Sequence, residues 1–244
     1  FELGAWVSDS GGTTPPARAD AAVASFYPES NDSLLYGGWN GTAALNDSWI
    51  YSGLSGRWNA FSAPGLTPTP PPLFGARMAF DPSSGMVLLY GGASSSGGVS
   101  DELWEHREPL PVGPALWNEL ASGPSAEYDG GVTFDVGLHE LVVYGGISSQ
   151  GSSSDLMQLY HPSSNAWSKA VPGPGLLGPR FGEALLFDPV AGPDGCDLLF
   201  GGVSNEVSDL GSRGVASAPG GSGLAQSDLW CYGLSGWSDA SYFT

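Results

Sequence analysis

The chain has 244 residues, of which 41% are hydrophobic and 11% aromatic, so it can bury a core and does not have the composition of a disordered chain. Its 25 acidic and 7 basic residues give a net charge of −18, which disfavours nucleic acid and anionic membranes as partners because such a surface repels phosphate. No apolar run approaches the roughly 20 residues that a membrane-spanning helix needs, so no membrane span is predicted.

Residues 1–17 contain Trp6 and then a stretch rich in Gly, Thr and Pro. The same order, a tryptophan, a Pro-rich linker and an arginine, occurs again between Trp58 and Arg77 and between Trp167 and Arg180. The segment is therefore predicted to be the last strand of a preceding unit, followed by a linker.

Four groups of four short strands follow, each bounded by turn residues. In chain order the predicted strands are 21–27, 33–36, 49–52 and 57–61, then 78–80, 86–90, 103–106 and 115–119, then 131–134, 139–144, 157–160 and 166–169, then 183–187, 197–200, 229–232 and 236–239. The short connections between the first two strands of each group are typical of hairpins.

The second strand of every group runs into a double glycine. The pairs are Gly37-Gly38, Gly91-Gly92, Gly145-Gly146 and Gly201-Gly202. The second glycines lie 54, 54 and 56 residues apart, and a period of this size indicates a repeat architecture. We expect these glycines to lie where the backbone passes closely or takes a positive φ, which glycine alone adopts at little cost.

Three further features keep phase with the glycines. An acidic residue precedes each third strand, a tryptophan marks each fourth strand, and an arginine opens three of the four groups, with Glu127 near the matching place in the third. In that order they are Asp47, Glu102, Asp155 and Asp228, then Trp58, Trp117, Trp167 and Trp237, then Arg18, Arg77 and Arg180. We expect the aromatic rings to fill the wedge between neighbouring sheets and the acids to accept backbone N–H groups at their turns.

An apolar run, Gly-Gly, an aromatic residue and a spaced tryptophan together resemble the kelch repeat. The resemblance covers nearly the whole chain and implies an all-β, kelch-type β-propeller in which each repeat is one four-stranded blade. It implies blades at residues 18–62, 63–122, 123–170 and 171–244, with 1–17 as the outer strand of an earlier blade and its linker. It implies little about activity, because unrelated functions share a fold.

The blade count predicts that the chain is part of a larger propeller. Propellers close with about 4 to 8 blades, and four complete repeats are accompanied here by one extra N-terminal outer strand. That strand does not complete the last blade, because Trp237 already supplies the fourth strand there. We therefore expect an open array.

Long loops gather on one face of the predicted array, and this face is the candidate interaction surface, because binding residues concentrate in loops on a rigid scaffold. The loops are 64–75, 94–100, 147–154, 171–178 and a Gly/Ser/Ala-rich insert at 205–226.

Several residues favour an extracellular or cell-surface location. Cys196 and Cys231 fall on neighbouring predicted strands, where either a disulfide or two reduced buried thiols fits; we expect the disulfide. Three Asn-X-Ser/Thr sequons, at Asn31, Asn40 and Asn46, predict N-glycosylation if the protein passes through a eukaryotic secretory pathway, although such triplets also arise by chance in a Ser-, Thr- and Asn-rich sequence.

No catalytic, cofactor or metal site is predicted. Kelch-type copper oxidases resembling galactose oxidase need two His, two Tyr and a crosslinked Cys, whereas His106, His139 and His161 are isolated here. His106 stands where a packing aromatic is expected. The acids are scattered singly through turns, and no metal-ligand or nucleophile motif occurs.

The sequence therefore predicts a non-catalytic extracellular propeller that binds a protein or glycan or serves in assembly. Two alternatives stay open: a carbohydrate-active or oxidoreductase enzyme whose site lies in blades outside this chain, and a structural subunit that self-assembles into a filament or surface layer.

Overall fold

The computed structural model describes residues 12–26, 31–61, 68–107, 116–170, 177–191, 195–204, 224–233 and 236–239. These residues form strands, turns and loops, with no helix among them, so the fold is all-β as predicted. Accordingly, the described segments contain no helix that is long and apolar enough to cross a membrane. The predicted N-terminal strand around Trp6 lies outside the described residues.

The strands are short, most of them five residues long. In chain order they are β1 Ala22–Phe26, β2 Asp32–Tyr36, β3 Ser48–Ser52, β4 Arg57–Phe61, β5 Arg77–Asp81, β6 Met86–Tyr90, β7 Leu103–Arg107, β8 Leu116–Glu119, β9 Glu127–Tyr128, β10 Gly131–Asp135, β11 Glu140–Tyr144, β12 Ile147–Ser148, β13 Met157–His161, β14 Ala166–Ala170, β15 Ala184–Asp188, β16 Cys196–Phe200, β17 Val203–Ser204, β18 Leu224–Ala225, β19 Leu229–Gly233 and β20 Gly236–Asp239.

Four antiparallel sheets of four strands contain the sixteen strands predicted for the four groups. We number them in chain order: sheet 1 is β1-β2-β3-β4, sheet 2 is β5-β6-β7-β8, sheet 3 is β10-β11-β13-β14 and sheet 4 is β15-β16-β19-β20. Each sheet is a meander in which sequential strands pair, the arrangement that short hairpin connections favour. The predicted strands are thus confirmed to within a few residues at their ends.

Two small two-stranded sheets were not predicted: β9 pairs with β12 and β17 pairs with β18. The second pair corrects the boundary of the predicted insert. Leu224 and Ala225 were assigned to that insert but form β18, which is held in register against Val203 and Ser204. Residues 205–223 lie outside the described part of the chain.

The four sheets stack face to face in chain order. The first strand of each sheet contacts the first strand of the next, β1 with β5, β5 with β10 and β10 with β15. No comparable contact joins β15 to β1 among the described residues, so the stack has two ends. Three sheet-to-sheet interfaces form the core.

An aromatic pair recurs in each interface. The tyrosine that ends the second strand of one sheet contacts the tryptophan on the fourth strand of the next. Ring centroids are 5.3 Å apart for Tyr36 and Trp117, 4.9 Å for Tyr90 and Trp167, and 5.5 Å for Tyr144 and Trp237. The expectation that these rings fill the wedge between sheets is confirmed, and burying such large rings is a main source of stability.

A disulfide joins Cys196 on β16 to Cys231 on β19, with a Cα–Cα distance of 5.7 Å. These are the second and third strands of sheet 4, as expected. The bond closes a loop that includes the long segment between β17 and β18, so it ties the core of sheet 4 together across that segment.

Candidate functional site

The candidate site is the loop-bearing end of the stack, which we define as the end where the second strands finish and the third strands begin. The Gly-Gly pairs lie here, together with the segments 18–20, 73–75, 127–129 and 180–182 that lead into the first strands. Of the loops predicted to form an interaction face, 68–75, 94–100 and 147–154 are described, whereas 64–67, 171–176 and 205–223 lie outside the described residues.

A backbone ladder at this end connects all four repeats. Gly75 N donates to Asp20 O at 2.9 Å, Asp129 N to Gly75 O at 2.7 Å, and Gly182 N to Asp129 O at 2.8 Å. All four residues have a positive φ, between 51° and 68°. Sequence reasoning missed this ladder, although Gly and Asp, which tolerate such a φ better than most residues, stand there at a regular spacing.

A second ladder uses the Gly-Gly pairs. The N–H of the second glycine donates to a carbonyl of the following repeat: Gly38 to Leu73, Gly92 to Glu127 and Gly146 to Arg180, at 2.8 to 3.0 Å. The backbones approach so closely that a Cβ on Gly91 would overlap the Glu127 carbonyl oxygen. The double glycine is therefore needed for the contact between repeats as well as for its positive φ.

Three of the four acids before the third strands accept hydrogen bonds from tryptophan side chains, which was not predicted, and Asp47 and Asp228 also accept from a backbone N–H, as expected. Trp49 Nε1 donates to Asp47 at 2.6 Å, Trp104 Nε1 to Glu102 at 2.9 Å and Trp230 Nε1 to Asp228 at 2.5 Å. These bonds fix the rings of the third strands, and burial of each indole N–H requires such a partner.

Of the three arginines predicted to open a repeat, Arg18 and Arg180 occupy equivalent positions, whereas Arg77 does not. Arg18 pairs with Asp47 and donates to Gly37 O, and Arg180 pairs with Asp228 and donates to Gly201 O. Beside these salt bridges, the pKa values of Asp47 and Asp228 are lowered despite partial burial. Arg77 does not share this place, because it is the first residue of β5 and four positions further along the repeat.

Arg77 instead forms an ion pair with Asp129 of the next repeat. Burial raises the pKa of the Asp129 carboxyl; the Arg77 cation opposes this and the nearby Asp20 charge adds to it. Asp20 itself is exposed. Together these groups place one cation and two acids beside the first backbone ladder.

Glu183 is a buried acid near this cluster, with 6% of its surface exposed. Its Oε1 accepts from Gly131 N at 2.9 Å, and no hydrogen-bond partner from the described residues reaches its buried Oε2. Burial raises the pKa of Glu183 to about 8, with the Asp129 charge adding to the effect.

Glu127 forms a second buried network. It accepts from Gln158 Nε2 at 3.2 Å and from Ser125 Oγ at 3.4 Å, and Gln158 Oε1 in turn accepts from the Tyr90 hydroxyl at 3.2 Å. Burial raises the pKa of Glu127 to about 7. The sequence placed this residue near the matching position of the arginines, and the structure confirms that it takes the place of Arg18 and Arg180.

Aromatic rings form a row across the same end. The Trp39 and Phe74 centroids are 5.4 Å apart, and Phe74 and Tyr128 are 5.8 Å apart, both edge to face. Phe74 and Tyr128 are buried, while Trp39 and Phe181 at the two ends of the cluster are only partly buried. The row thus presents aromatic surface at its ends, close to the acids of the ladder.

The cavity beside this cluster is small. It is bordered by Arg77, Tyr90, Glu127, Tyr128 and Asp129 among others, and its volume is about 10 Å³. Such a space holds roughly one water molecule. A larger ligand would therefore have to bind on the surface of the loop-bearing end.

The histidines have structural surroundings. His106 is buried against Phe26 and Trp117, with centroids 6.5 Å and 5.1 Å away, and burial lowers its pKa to about 4. His161 lies 2.9 Å from Glu140, and His139 occupies a turn with a φ of 56°. Across the described segments, no group of three His, Cys, Asp or Glu side chains is arranged to hold a metal ion.

The asparagines of all three sequons are exposed. Asn31 has a φ of 51°, and the Asn40 side-chain oxygen accepts from Thr42 N and Ala43 N at 2.9 Å. Exposure is a requirement for glycosylation, which stays a prediction.

Neither protein-family models nor curated proteins gave a match to this chain. The interpretation of the site therefore depends on the residues themselves.

Proposed function

We propose that this chain belongs to a kelch-type β-propeller, forming four of its blades, and that it acts outside the cell as a non-catalytic module that binds a protein or a glycan. The four repeated meanders, the stacking of their first strands and the two backbone ladders support the propeller arrangement. The proposed binding surface is the loop-bearing end.

The observation that carries the binding role is the aromatic row beside the acids at that end. Trp39 and Phe181 present partly exposed rings, and Asp20 is exposed nearby. Aromatic faces stack on sugar rings or on apolar and cationic side chains, while carboxylates accept hydrogen bonds from hydroxyl or ammonium groups. The combination suits a polyhydroxylated or basic ligand.

The extracellular location is supported by the disulfide between Cys196 and Cys231, because disulfides persist mainly in oxidising compartments. The three exposed sequon asparagines agree with it.

The test is a glycan array of neutral, acidic and amino-sugar oligosaccharides, together with a library of basic peptides, followed by calorimetric titration of every hit. Trp39→Ala should weaken binding of a hit by roughly tenfold or more, since it removes a ring that costs about 1 to 3 kcal/mol when lost from a contact.

The matched control is Leu54→Ala. Leu54 is 83% exposed in the β3–β4 turn at the opposite end of sheet 1, so this change should leave affinity unaltered. Absence of any hit, or equal loss of affinity in both variants, would contradict the proposed surface.

An enzyme acting on carbohydrate is the second candidate. One observation favours it: burial raises the pKa values of Glu127 and Glu183, and carboxyl groups with raised pKa values are common in active sites. The cavity that Glu127 borders holds only about one water, so binding remains the preferred proposal. Hydrolysis of any oligosaccharide hit, lost in Glu127→Gln, would reverse that preference.

A further inference from the structure

The two ends of the stack expose different faces, and the face of sheet 4 is apolar. Leu186 on β15 is 51% exposed and Phe200 on β16 is 54% exposed. Cross-strand pairing puts Ala184 opposite Phe200 and Leu198 opposite Leu186, so the four residues share one face. The opposite face of sheet 4 packs on sheet 3.

Residue size at the three internal interfaces follows a rule. The third residue of each first strand is small and faces the following sheet: Ala24, Ala79 and Thr133. The fourth residue of the next first strand is large: Phe80 and Phe134 pack in the first two interfaces, and Phe187 holds the same position in β15. In the third interface Thr133 Oγ1 accepts from the backbone N–H of Phe187 at 2.9 Å.

At the two open ends this rule is reversed. The third residue of β15 is the large Leu186, and the fourth residue of β1 is the small Ser25, which is exposed and lies 3.0 Å from Ser33 between hydroxyl oxygens. A large side chain on the sheet 4 face is thus matched by a small one on the sheet 1 face. Both departures keep the combined volume of the pair similar, as close packing requires.

The aromatic pairs show the same complementarity. Every internal interface joins the last residue of a second strand to a fourth-strand tryptophan of the next sheet. At the sheet 4 end, Phe200 is the last residue of the second strand, and at the sheet 1 end, Trp58 is the fourth-strand tryptophan. Trp58 is only partly buried and contacts Tyr51 of its own strand pair, with ring centroids 5.3 Å apart.

The backbone ladders also end in complementary groups. Within the described segments, no backbone partner reaches the N–H groups of Asp20 and Gly202 or the carbonyls of Arg18 and Gly182. At each internal interface the equivalent groups bond to one another. By analogy with the internal interfaces, the Gly202 N–H on the sheet 4 end matches the Arg18 carbonyl on the sheet 1 end, and the Asp20 N–H on the sheet 1 end matches the Gly182 carbonyl on the sheet 4 end.

We infer that the free face of sheet 4 binds the free face of sheet 1 in a second copy of this chain. Leu186 packs over Ser25, Phe200 meets Trp58, and the ladders continue across the junction. Head-to-tail contacts of this kind close a ring when the rotation per copy fits and otherwise extend into an open array.

The inference rests on the repeat geometry and is independent of the ligand-binding role. Each copy carries a net charge of −18, so the two copies repel each other. Added salt screens that repulsion, and association should therefore strengthen as ionic strength rises toward physiological values.

The experiment is light scattering coupled to gel filtration, and sedimentation equilibrium, on the 244-residue chain at several concentrations. The expected mass is a multiple of the 25.1 kDa of one chain and rises with concentration. Leu186→Glu should weaken association by roughly a hundredfold or more, because it buries an unpaired carboxylate in the junction. The control Val190→Glu changes the charge equally at a site that is 85% exposed in the turn after β15, and it should leave the mass unchanged.

A size exchange separates this junction from general surface effects. Ser25→Phe should block association, because the ring takes the space that Leu186 fills. The double change Ser25→Phe with Leu186→Ala restores the small-against-large order of the internal interfaces and should recover association.

A wild-type chain that remains a monomer up to high micromolar concentration would overturn the inference, and so would an oligomer that Leu186→Glu leaves intact. Failure of the double variant to recover association, with both single variants folded by circular dichroism, would overturn the assigned contact.

Discussion

Every glycine of the four Gly-Gly pairs has a positive φ, and three of the second glycines donate to the next repeat. Glycine is therefore required at these pairs for two reasons: the backbone conformation and the close contact with the next repeat. A side chain on the first glycine is excluded by the neighbouring backbone, as at Gly91, and the local conformation is one that other residues adopt at a cost.

Gly91→Ala and Gly97→Ala separate these requirements. Both glycines have a positive φ, 70° and 84°, but only Gly91 has the Glu127 carbonyl where a Cβ would lie, and a Cβ on Gly97 meets open space. Urea unfolding should show a loss of about 1 kcal/mol for Gly97→Ala and about 2 to 4 kcal/mol for Gly91→Ala. Equal losses would mean that the backbone contact between repeats contributes nothing.

Buried carboxyls predict how stability depends on pH. The pKa of Glu183 is raised from 4.5 to about 8, so the folded protein keeps this proton where the unfolded chain has lost it. The free energy of unfolding contributed by this group is greatest below pH 4.5 and falls as pH rises to about 8. Asp197, which is buried between sheets 3 and 4 with its pKa raised to about 8, acts in the same direction.

Glu183→Gln should reduce the fall in stability between pH 5 and pH 8 by an amount on the order of a few kcal/mol, because the amide resembles the protonated acid and can still accept from Gly131 N. The exposed Glu119→Gln serves as control and should leave the pH profile unchanged. Thermal unfolding across this pH range measures both. A profile in Glu183→Gln that coincides with the wild type would refute the assignment.

At the scale of elements, each repeat is one four-stranded meander that cannot bury both of its faces alone. Strand positions were predictable because each strand is a short apolar run between turn residues, and the Gly-Gly period fixed their grouping. The ladder through Asp20, Gly75, Asp129 and Gly182 was not, because it depends on backbone groups of different repeats and the two residue types alternate. The roles of Arg18 and Arg77 were confused for a related reason: spacing alone could not distinguish two places four residues apart.

The disulfide between Cys196 and Cys231 should stabilise sheet 4 in particular. The bond spans 35 residues, for which loop-closure entropy gives about 3 to 4 kcal/mol. Replacing Cys196 and Cys231 together by Ser should lower the unfolding free energy by that amount, and hydrogen exchange should show the loss in β15, β16 and β19 first. Reductant should reproduce the loss in the wild type and have no effect on the double variant. Uniform loss across all four sheets would contradict a local role.

At the scale of the whole molecule, the described sheets form a stack with two unlike ends. The internal interfaces repeat the same small-against-large and tyrosine-against-tryptophan pairings. At the ends the order of small and large residues is reversed, and Phe200 and Trp58 stand at the positions of the tyrosine and the tryptophan. The sequence indicated an open array by its repeat count. It did not indicate how the ends match, because that match becomes visible only after strand register assigns each residue to a face.

The central claim is that the two ends of the stack are complementary, so that sheet 4 of one copy binds sheet 1 of another. Electron-microscopy projections of the purified chain at a concentration where it associates test this most directly. The account predicts four-sheet units joined end to end, and single four-sheet units when Leu186→Glu is present. Units that join side by side, or joined units that persist with Leu186→Glu, would contradict it.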